Sequence, residues 1–390
     1  MDDGYFHSGR ARRALPVMAA AVAALVVLSL MYLRPFAPRS AVTLQVVSVP
    51  KLDQQLWPAF DFVTPSLGWA VIVVSGRSEA QVYRTTDGAK HWHKQFATRL
   101  LDAQLPSIKF FDRQHGFFFS GDLYRTVDGG QHWERISVPD ASADFTFASP
   151  LRGWVVTYDL QSTSQVYSTI DGGLTWQHLG TWLGPPALQA GFGGGAPFVF
   201  RADGEGWAGA SGSTPTLYST HDGGRMWTSV ELPVPQIGRP IPSPPPGKGT
   251  RAGYTTTARL VPGGVVVALV LDYFGDPSMY TSDDRGRTWT LAVLPPAPAQ
   301  FWDMSFVDAK SWWASRWDVL FKTSDAGLTW HEVRTTAPDY LFFWSFDVAH
   351  VIDARHAWLA IRSPAAGPSG LAMTADAGAS WDAANVPQPA

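Results

Sequence analysis

YSTIDGGLTW (residues 167–176) is one copy of a string that returns along the chain, and its return decides the fold. It reappears as YRTTDGAKHW (83–92), YRTVDGGQHW (124–133) and YSTHDGGRMW (218–227). Three more divergent copies are YTSDDRGRTW (280–289), FKTSDAGLTW (321–330) and AMTADAGASW (372–381). The anchoring acids are Asp87, Asp128, Asp171, Asp222, Asp284, Asp325 and Asp376, at intervals of 41, 43, 51, 62, 41 and 51 residues. The closing aromatics are Trp92, Trp133, Trp176, Trp227, Trp289, Trp330 and Trp381. Such a period marks a repeat architecture, and this one suits a single four-stranded propeller blade.

A second landmark keeps the same register. Upstream of each acid, one apolar residue is followed seven places later by another: Phe62/Trp69, Phe110/Phe117, Phe147/Trp154, Phe200/Trp207, Leu260/Val267, Phe306/Trp313 and Val351/Trp358. Each blade then reads as a first strand ending at the first of these residues and a second strand beginning at the other. A third strand ends at Tyr-x-Thr, and a fourth starts at the closing Trp. Alternating and β-branched apolar residues favour strands over helices throughout. The expected fold is all-β: a seven-bladed β-propeller of four-stranded antiparallel blades over residues 41–390. The interval of 62 holds a Pro-rich insertion at 232–249, expected to be an extended surface loop. Residues 41–49 read as one more strand, expected to pair with the last blade and close the ring.

In the pattern Ser/Thr-x-Asp-x-Gly-x-x-Trp the carboxylate can accept backbone N–H groups of its own turn. The hydroxyl two places earlier adds a bond, and the Gly supplies a positive φ. The Trp is expected to pack between neighbouring sheets. The first copy departs from this, with Ala89 where Gly is expected and Gly88 one place earlier, so a different turn is open to it. Seven acids spread around a ring cannot converge on one substrate, so they are read as structural.

Upstream, Arg10, Arg12 and Arg13 precede a run from Ala14 to Leu33 without a charged residue. About 20 apolar residues span a bilayer as a helix, and the positive cluster before them places the N-terminus in the cytoplasm. The expected organisation is a cytoplasmic segment 1–13, a transmembrane signal-anchor helix 14–33, a linker 34–40 and an extracytoplasmic propeller. Cleavage of the helix, giving a secreted protein, is the alternative. The net charge of -3 gives no basic excess for nucleic acid. The absence of Cys excludes disulfides, thiolate metal sites and a Cys nucleophile.

The repeated string resembles the Asp-box, or BNR repeat, of sialidases, xyloglucan-degrading hydrolases, sortilin-type receptors and the photosystem II stability/assembly factor family. The wording F-x-x-x-x-x-G-W…Y-x-T-x-D-G-G-x-x-W looks most like the last, over roughly residues 50–385. The resemblance implies the sialidase-like propeller fold and leaves function open. It further implies, for a sialidase, an arginine triad, an Arg-Ile-Pro segment and a Tyr/Glu pair. The nearest string here is Arg239-Pro240-Ile241-Pro242, in the wrong order. Among the Glu residues, only Glu205 falls at a plausible inner turn. No pair among Asp61, Asp144, Asp303 and Asp347 stands out for glycosidase chemistry. No catalytic residue, cofactor or metal is expected.

His91-x-His93 would put two imidazoles on one strand face, without a third ligand. Asp61, Lys109, Arg259, Asp303 and His350 are expected to line the central channel. Six tryptophans remain beyond the two landmarks, four of them between 302 and 344. Trp302, Trp312, Arg316, Trp317, Phe342, Phe343 and Trp344 therefore form a candidate binding surface of the Trp- and Arg-rich kind used in hot spots. The expected function is a non-enzymatic, membrane-anchored scaffold that binds a protein partner on one face. By resemblance, that partner is a membrane protein or an assembling envelope complex. A carbohydrate-active or sugar-binding propeller, with a glycan as partner, is the alternative.

Overall fold

A computed structural model describes residues 42–43, 59–74, 78–100, 106–139, 143–158, 164–182, 198–234, 253–272, 277–292, 294, 303–316, 319–333, 335–336, 349–361 and 370–387. All regular structure among them is β-strand. Seven antiparallel blades follow one another along the chain. Blade 1 consists of Ala59–Phe62, Gly68–Val74, Glu79–Thr85 and His93–Arg99, hydrogen-bonded in that order. Blades 2 to 7 repeat this plan, ending with Ala349–Val351, Ala357–Ile361, Gly370–Thr374 and Asp382–Ala384 in blade 7. The four principal strands of every blade thus come from its own stretch of chain. Blade 5 gains a fifth strand, Ser211–Gly212, which leaves blade 4 and pairs antiparallel with Tyr254 and Thr255.

The two apolar landmarks explain how blades stack. The second-strand aromatic of one blade lies flat on the first-strand aromatic of the next. Trp69 stacks on Phe110 at 3.4 Å between ring centroids, Phe117 on Phe147 at 3.8 Å and Trp154 on Phe200 at 4.1 Å. Around each junction sits a separate apolar cluster, one for every neighbouring pair of blades. Aromatic pairs add to simple area burial. The glycine preceding these second-strand residues has a steric cause. A Cβ on Gly68, Gly116, Gly153 or Gly206 would lie 2.3–2.6 Å from the ring of its own blade's first-strand Phe.

Among the described residues, blades 7 and 1 close the ring without exchanging a strand. Phe62 stacks on Trp358 at 3.9 Å, and Ala89, Leu371 and Val386 complete the cluster. Asn385 then ties the end of blade 7 to blade 1. Its N–H donates to the Ala89 carbonyl (3.0 Å), its side-chain amide donates to the Lys90 carbonyl (2.6 Å), and its own carbonyl accepts Trp92 Nε1–H (2.7 Å).

Two sequence expectations need correction, and a third holds in place but not in depth. Val42–Thr43 is a strand but pairs parallel with Thr335–Thr336, which follows the outer strand of blade 6, and not with the last blade. Among the described residues, the outer edge of blade 7 is Asp382–Ala384, paired inward with Gly370–Thr374. The turn-closing tryptophans do pack against the interblade clusters, but the fully buried tryptophans are those of the second strand, Trp69, Trp154, Trp207, Trp312 and Trp358. Of the turn-closing set only Trp381 is buried, and the others are half-buried against the interblade clusters. Finally, Trp312 is fully buried and is no surface residue. It occupies the blade 6 position where four other blades carry the glycine, and it meets Phe306 edge-on instead of lying beneath it (80° between rings).

No helix among the described residues is long and apolar enough to cross a membrane. The transmembrane expectation for 14–33, the linker 34–40 and most of the 232–249 loop lie outside the described residues.

Candidate functional site

The repeated aspartate turns come first, because they cover one face of the disk. In blade 3, the Thr169 hydroxyl donates to Asp171 Oδ1 (2.7 Å) and accepts the Gly173 N–H (2.9 Å). Asp171 Oδ1 also accepts the Thr175 N–H (3.0 Å), and Oδ2 accepts the Thr175 hydroxyl (2.5 Å). The same geometry recurs in all seven copies. The partner of Oδ2 is Thr or Ser in blades 3, 5, 6 and 7 and a His ring in blades 1 and 2. Sequence reading missed this partner four places after each Asp, although the column is polar in every copy but Met226.

Ala89 does not change the turn. Its φ of 65° matches the positive φ of its glycine counterparts, and its N–H bonds Thr85 Oγ1 as theirs bond the equivalent hydroxyl. His91 lies in this turn with Nδ1 2.6 Å from Asp87 Oδ2, while His93 begins the outer strand. The two histidines therefore do not share a strand face. No cluster of three metal-ligating side chains occurs among the described residues.

These contacts hold every turn aspartate below its ordinary value of 3.8. Asp171, Asp284 and Asp325 sit at about 2, chiefly through the hydroxyl four places on. Asp376 is lowered first by the Ser380 hydroxyl and Asp87 first by the His91 backbone N–H. In Asp128, also at about 2, and in Asp222, burial is the largest single influence and pushes upward, but it is outweighed by the hydrogen bonds together, led by the backbone N–H four places on. A carboxylate whose folded value is depressed stabilises the fold above its unfolded value, and that stability disappears as pH falls through the folded one. The propeller is therefore expected to keep its denaturation midpoint down to about pH 4 and to lose stability steadily toward about pH 2. Urea denaturation across that range checks this, and a flat profile would refute it.

The turn joining the first and second strands lies on the same face. Gly172 N–H, in the aspartate turn of blade 3, bonds the Leu151 carbonyl (2.8 Å). The equivalent bonds run to Ser66, Gln114, Gly204, Lys310 and Arg355 in blades 1, 2, 4, 6 and 7. Seven near-identical surfaces thus stand side by side, and departures from the repeat become visible. At the position just before each Asp the residues are Thr86, Val127, Ile170, His221, Asp283, Ser324 and Ala375, all exposed. Only blades 2 and 3 place a large aliphatic there, and among the joining-turn residues whose carbonyl accepts that N–H only Leu151 of blade 3 is one.

These departures meet. Val127, Leu151, Ile170 and Leu174 are 57%, 59%, 77% and 53% exposed and line one cleft of about 420 Å³ between blades 2 and 3. Arg125 and His115 also line it. Arg125 Nη1 donates across the junction to the Asp171 carbonyl (2.8 Å), and Nε donates to Glu134 (3.2 Å). His115 Nδ1 lies 2.8 Å from Asp112. The volume falls in the range of about 300–1,000 Å³ usual for ligand clefts. Contiguous exposed apolar surface marks interaction sites.

The other sequence candidates are distributed differently. Asp61, Lys109 and His350 do come together on the first strands of blades 1, 2 and 7. Asp61 is buried, 3.1 Å from Lys109 Nζ and 3.3 Å from His350 Nε2. They bridge three blades at the inner rim. Arg259 lies on the first strand of blade 5, and Asp303 begins that of blade 6. Glu205 pairs with Arg285 at 3.0 Å. Arg316 closes the second strand of blade 6. Trp302, Trp317, Phe342, Phe343 and Trp344 lie outside the described residues.

No protein-family model matches the sequence, and no curated protein matches it significantly. Solved structures do. The chain is similar to YCF48 bound to D1 peptide, at 18% identity over 86% of this chain and 99% of that one, with a TM-score of 0.52. It is similar to a Mycobacterium tuberculosis puromycin-hydrolyzing peptidase, at 13% identity over 88% of this chain and 55% of that one, TM-score 0.54. A third is the β-propeller domain of the Trilobed protease from Pyrococcus furiosus, at 7% identity over 84% and 97%, TM-score 0.51. At such identities the likeness is one of fold.

Proposed function

We propose that this protein is a non-enzymatic, membrane-anchored, extracytoplasmic propeller that binds a protein partner through the cleft between blades 2 and 3. The observation that carries this is the break in the repeat. The seven equivalent surfaces differ, and four exposed large aliphatics, Val127, Leu151, Ile170 and Leu174, gather at one junction, whereas Met226 and Leu328 each stand alone in the turn of another blade. Burial does not require them, so their cost in exposed apolar area points to a partner. The similar propeller of YCF48 was solved with a peptide bound, which makes peptide capture a use this fold supports. A non-enzymatic role is supported by the seven turn carboxylates, each engaged by its own turn through Oδ1 and, in six of them, through Oδ2 as well. The anchored, exported topology rests on Arg10, Arg12, Arg13 and the uncharged run after them.

Protein is favoured over glycan by side-chain type. Sugar stacking uses exposed aromatic faces. The large apolar side chains most exposed among the described residues are Val, Leu, Ile and Met.

A photo-crosslinking amino acid at position 170 is expected to give a discrete adduct with a membrane or envelope protein in cells. The same group at Leu328, an isolated exposed leucine of blade 6, is expected to give none. Leu151→Asp should abolish the adduct at 170 and change stability by no more than about 0.5 kcal/mol, as surface substitutions do. Equal labelling from both positions would remove the cleft from consideration. Accessibility of the propeller to protease added outside spheroplasts tests the topology separately.

A further inference from the structure

Resting on the reading of the cleft as a docking site, we infer that its occupant is an uncharged, aliphatic, extended segment of another protein, and that capture depends little on salt. The electrostatics of the lining carry this. Among the described residues lining the cleft, three are charged or titratable, and each is already engaged inside the chain. Arg125 is spent on Glu134 and on the Asp171 carbonyl across the blade junction. His115 is held by Asp112 on its own turn. Asp171 accepts Thr169 and Thr175. A charged residue entering the cleft would lose water and meet no free counter-charge, which is strongly unfavourable. An aliphatic side chain loses nothing and buries Val127, Leu151, Ile170 and Leu174.

Shape narrows the occupant further. A second copy of the same face presents a cleft to a cleft, and two concave surfaces do not fill one another. Outside this junction, the strongly exposed apolar residues of blades 4 to 6 include Met226 in an aspartate turn, Leu291 on an outer strand and Leu328 in another turn. The three belong to separate blades, and among the described residues they form no ridge that could enter the cleft. A volume of about 420 Å³ admits a few side chains of an extended segment.

The test uses the full chain in lipid nanodiscs and fluorescent synthetic peptides of equal length. One set is rich in Val, Leu, Ile, Ser and Thr without charge. A second has Asp or Glu in its centre, and a third Lys or Arg. The uncharged set is expected to bind best, with affinity nearly constant between about 0.05 and about 0.5 M salt. Ile170→Glu and Leu151→Glu are each expected to weaken binding at least about tenfold, while Leu328→Glu leaves it unchanged. Thermal denaturation of each variant confirms folding. If the charged peptides bind best, lose affinity with salt and still depend on Ile170, the inference falls while the docking reading stands. If the chain instead forms a dimer that Ile170→Glu dissolves, the occupant is a second copy and the inference falls. If no peptide binds and no adduct forms at position 170, both readings fall.

Discussion

Trp358→Ala is expected to cost about 3–5 kcal/mol, the usual range for removing a fully buried tryptophan. The site makes the loss hard to absorb. Trp358 is fully buried and provides one half of the stack with Phe62 on which the junction of blades 7 and 1 depends. Elsewhere in the ring, neighbouring blades are consecutive in the chain, so a weakened face stays at high local concentration. Here the contacting residues are some 288 positions apart, as in the His350 to Phe62 bond. The loss should therefore appear as an opened ring before the blades themselves unfold. A cysteine pair across this junction, in a chain with no cysteine of its own, would report opening as a fall in cross-linking at denaturant concentrations where far-UV circular dichroism is unchanged. A milder change sharpens the point. Trp358 Nε1 is buried without an acceptor, whereas Trp154 Nε1 donates to the Gly223 carbonyl at 2.8 Å. Trp358→Phe should accordingly cost less than Trp154→Phe, which leaves a buried carbonyl unpaired. The reverse order in urea denaturation would contradict this account of the two sites.

Gly209→Ala is expected to destabilise by about 3 kcal/mol or more, at the upper end of what overpacking does. A Cβ there would lie 2.1 Å from the Thr256 carbonyl oxygen and 3.0 Å from its carbon. Both are backbone atoms of blade 5, so no side-chain rotation relieves the contact. They are held in place from several sides. The Thr256 N–H donates to the Ala210 carbonyl (2.8 Å), and Thr256 Oγ1 accepts the Ala210 N–H (2.8 Å) and contacts the Thr216 carbonyl. Ser211–Gly212 then joins the sheet of blade 5. Gly212→Ala is the control, since its Cβ would meet nothing nearer than 3.6 Å. Similar denaturation midpoints for the two variants would show that the blade 4–5 approach is looser than these distances require.

The architecture was legible because the repeat is periodic and each copy satisfies its own hydrogen bonds locally. A Thr hydroxyl, an Asp and a positive φ within five residues suffice to specify the turn. Ala89 shows the limit of the pattern: its hydrogen bonds hold the backbone where glycine would be easier. Trp312 was misread because counting assigned one tryptophan to the second strand of blade 6, Trp313, and treated its neighbour as surplus. Neighbouring strand residues point to opposite faces, and in a propeller both faces are covered by other blades. The cleft was hidden for a related reason. Val127 and Ile170 sit in strings such as YRTVDGG and YSTIDGG and look like strand residues. Only the turn geometry turns them outward. Comparing that one column across the seven copies would have exposed them, because a position free to vary in every other blade is aliphatic in two adjacent ones.

The contiguity of each blade also fixes an order of events during synthesis. A chain emerging N-terminus first completes blade 1, then lays each new blade on the one before, through contacts that are local and quickly found. Six of the seven interblade faces form on arrival. The seventh waits for Asn385 and Val386, among the last described residues. Until then Phe62, Ala89 and Trp92 present an uncovered apolar surface, so a chain stalled or cut before residue 385 is a sticky, chaperone-dependent species however complete its first six blades are.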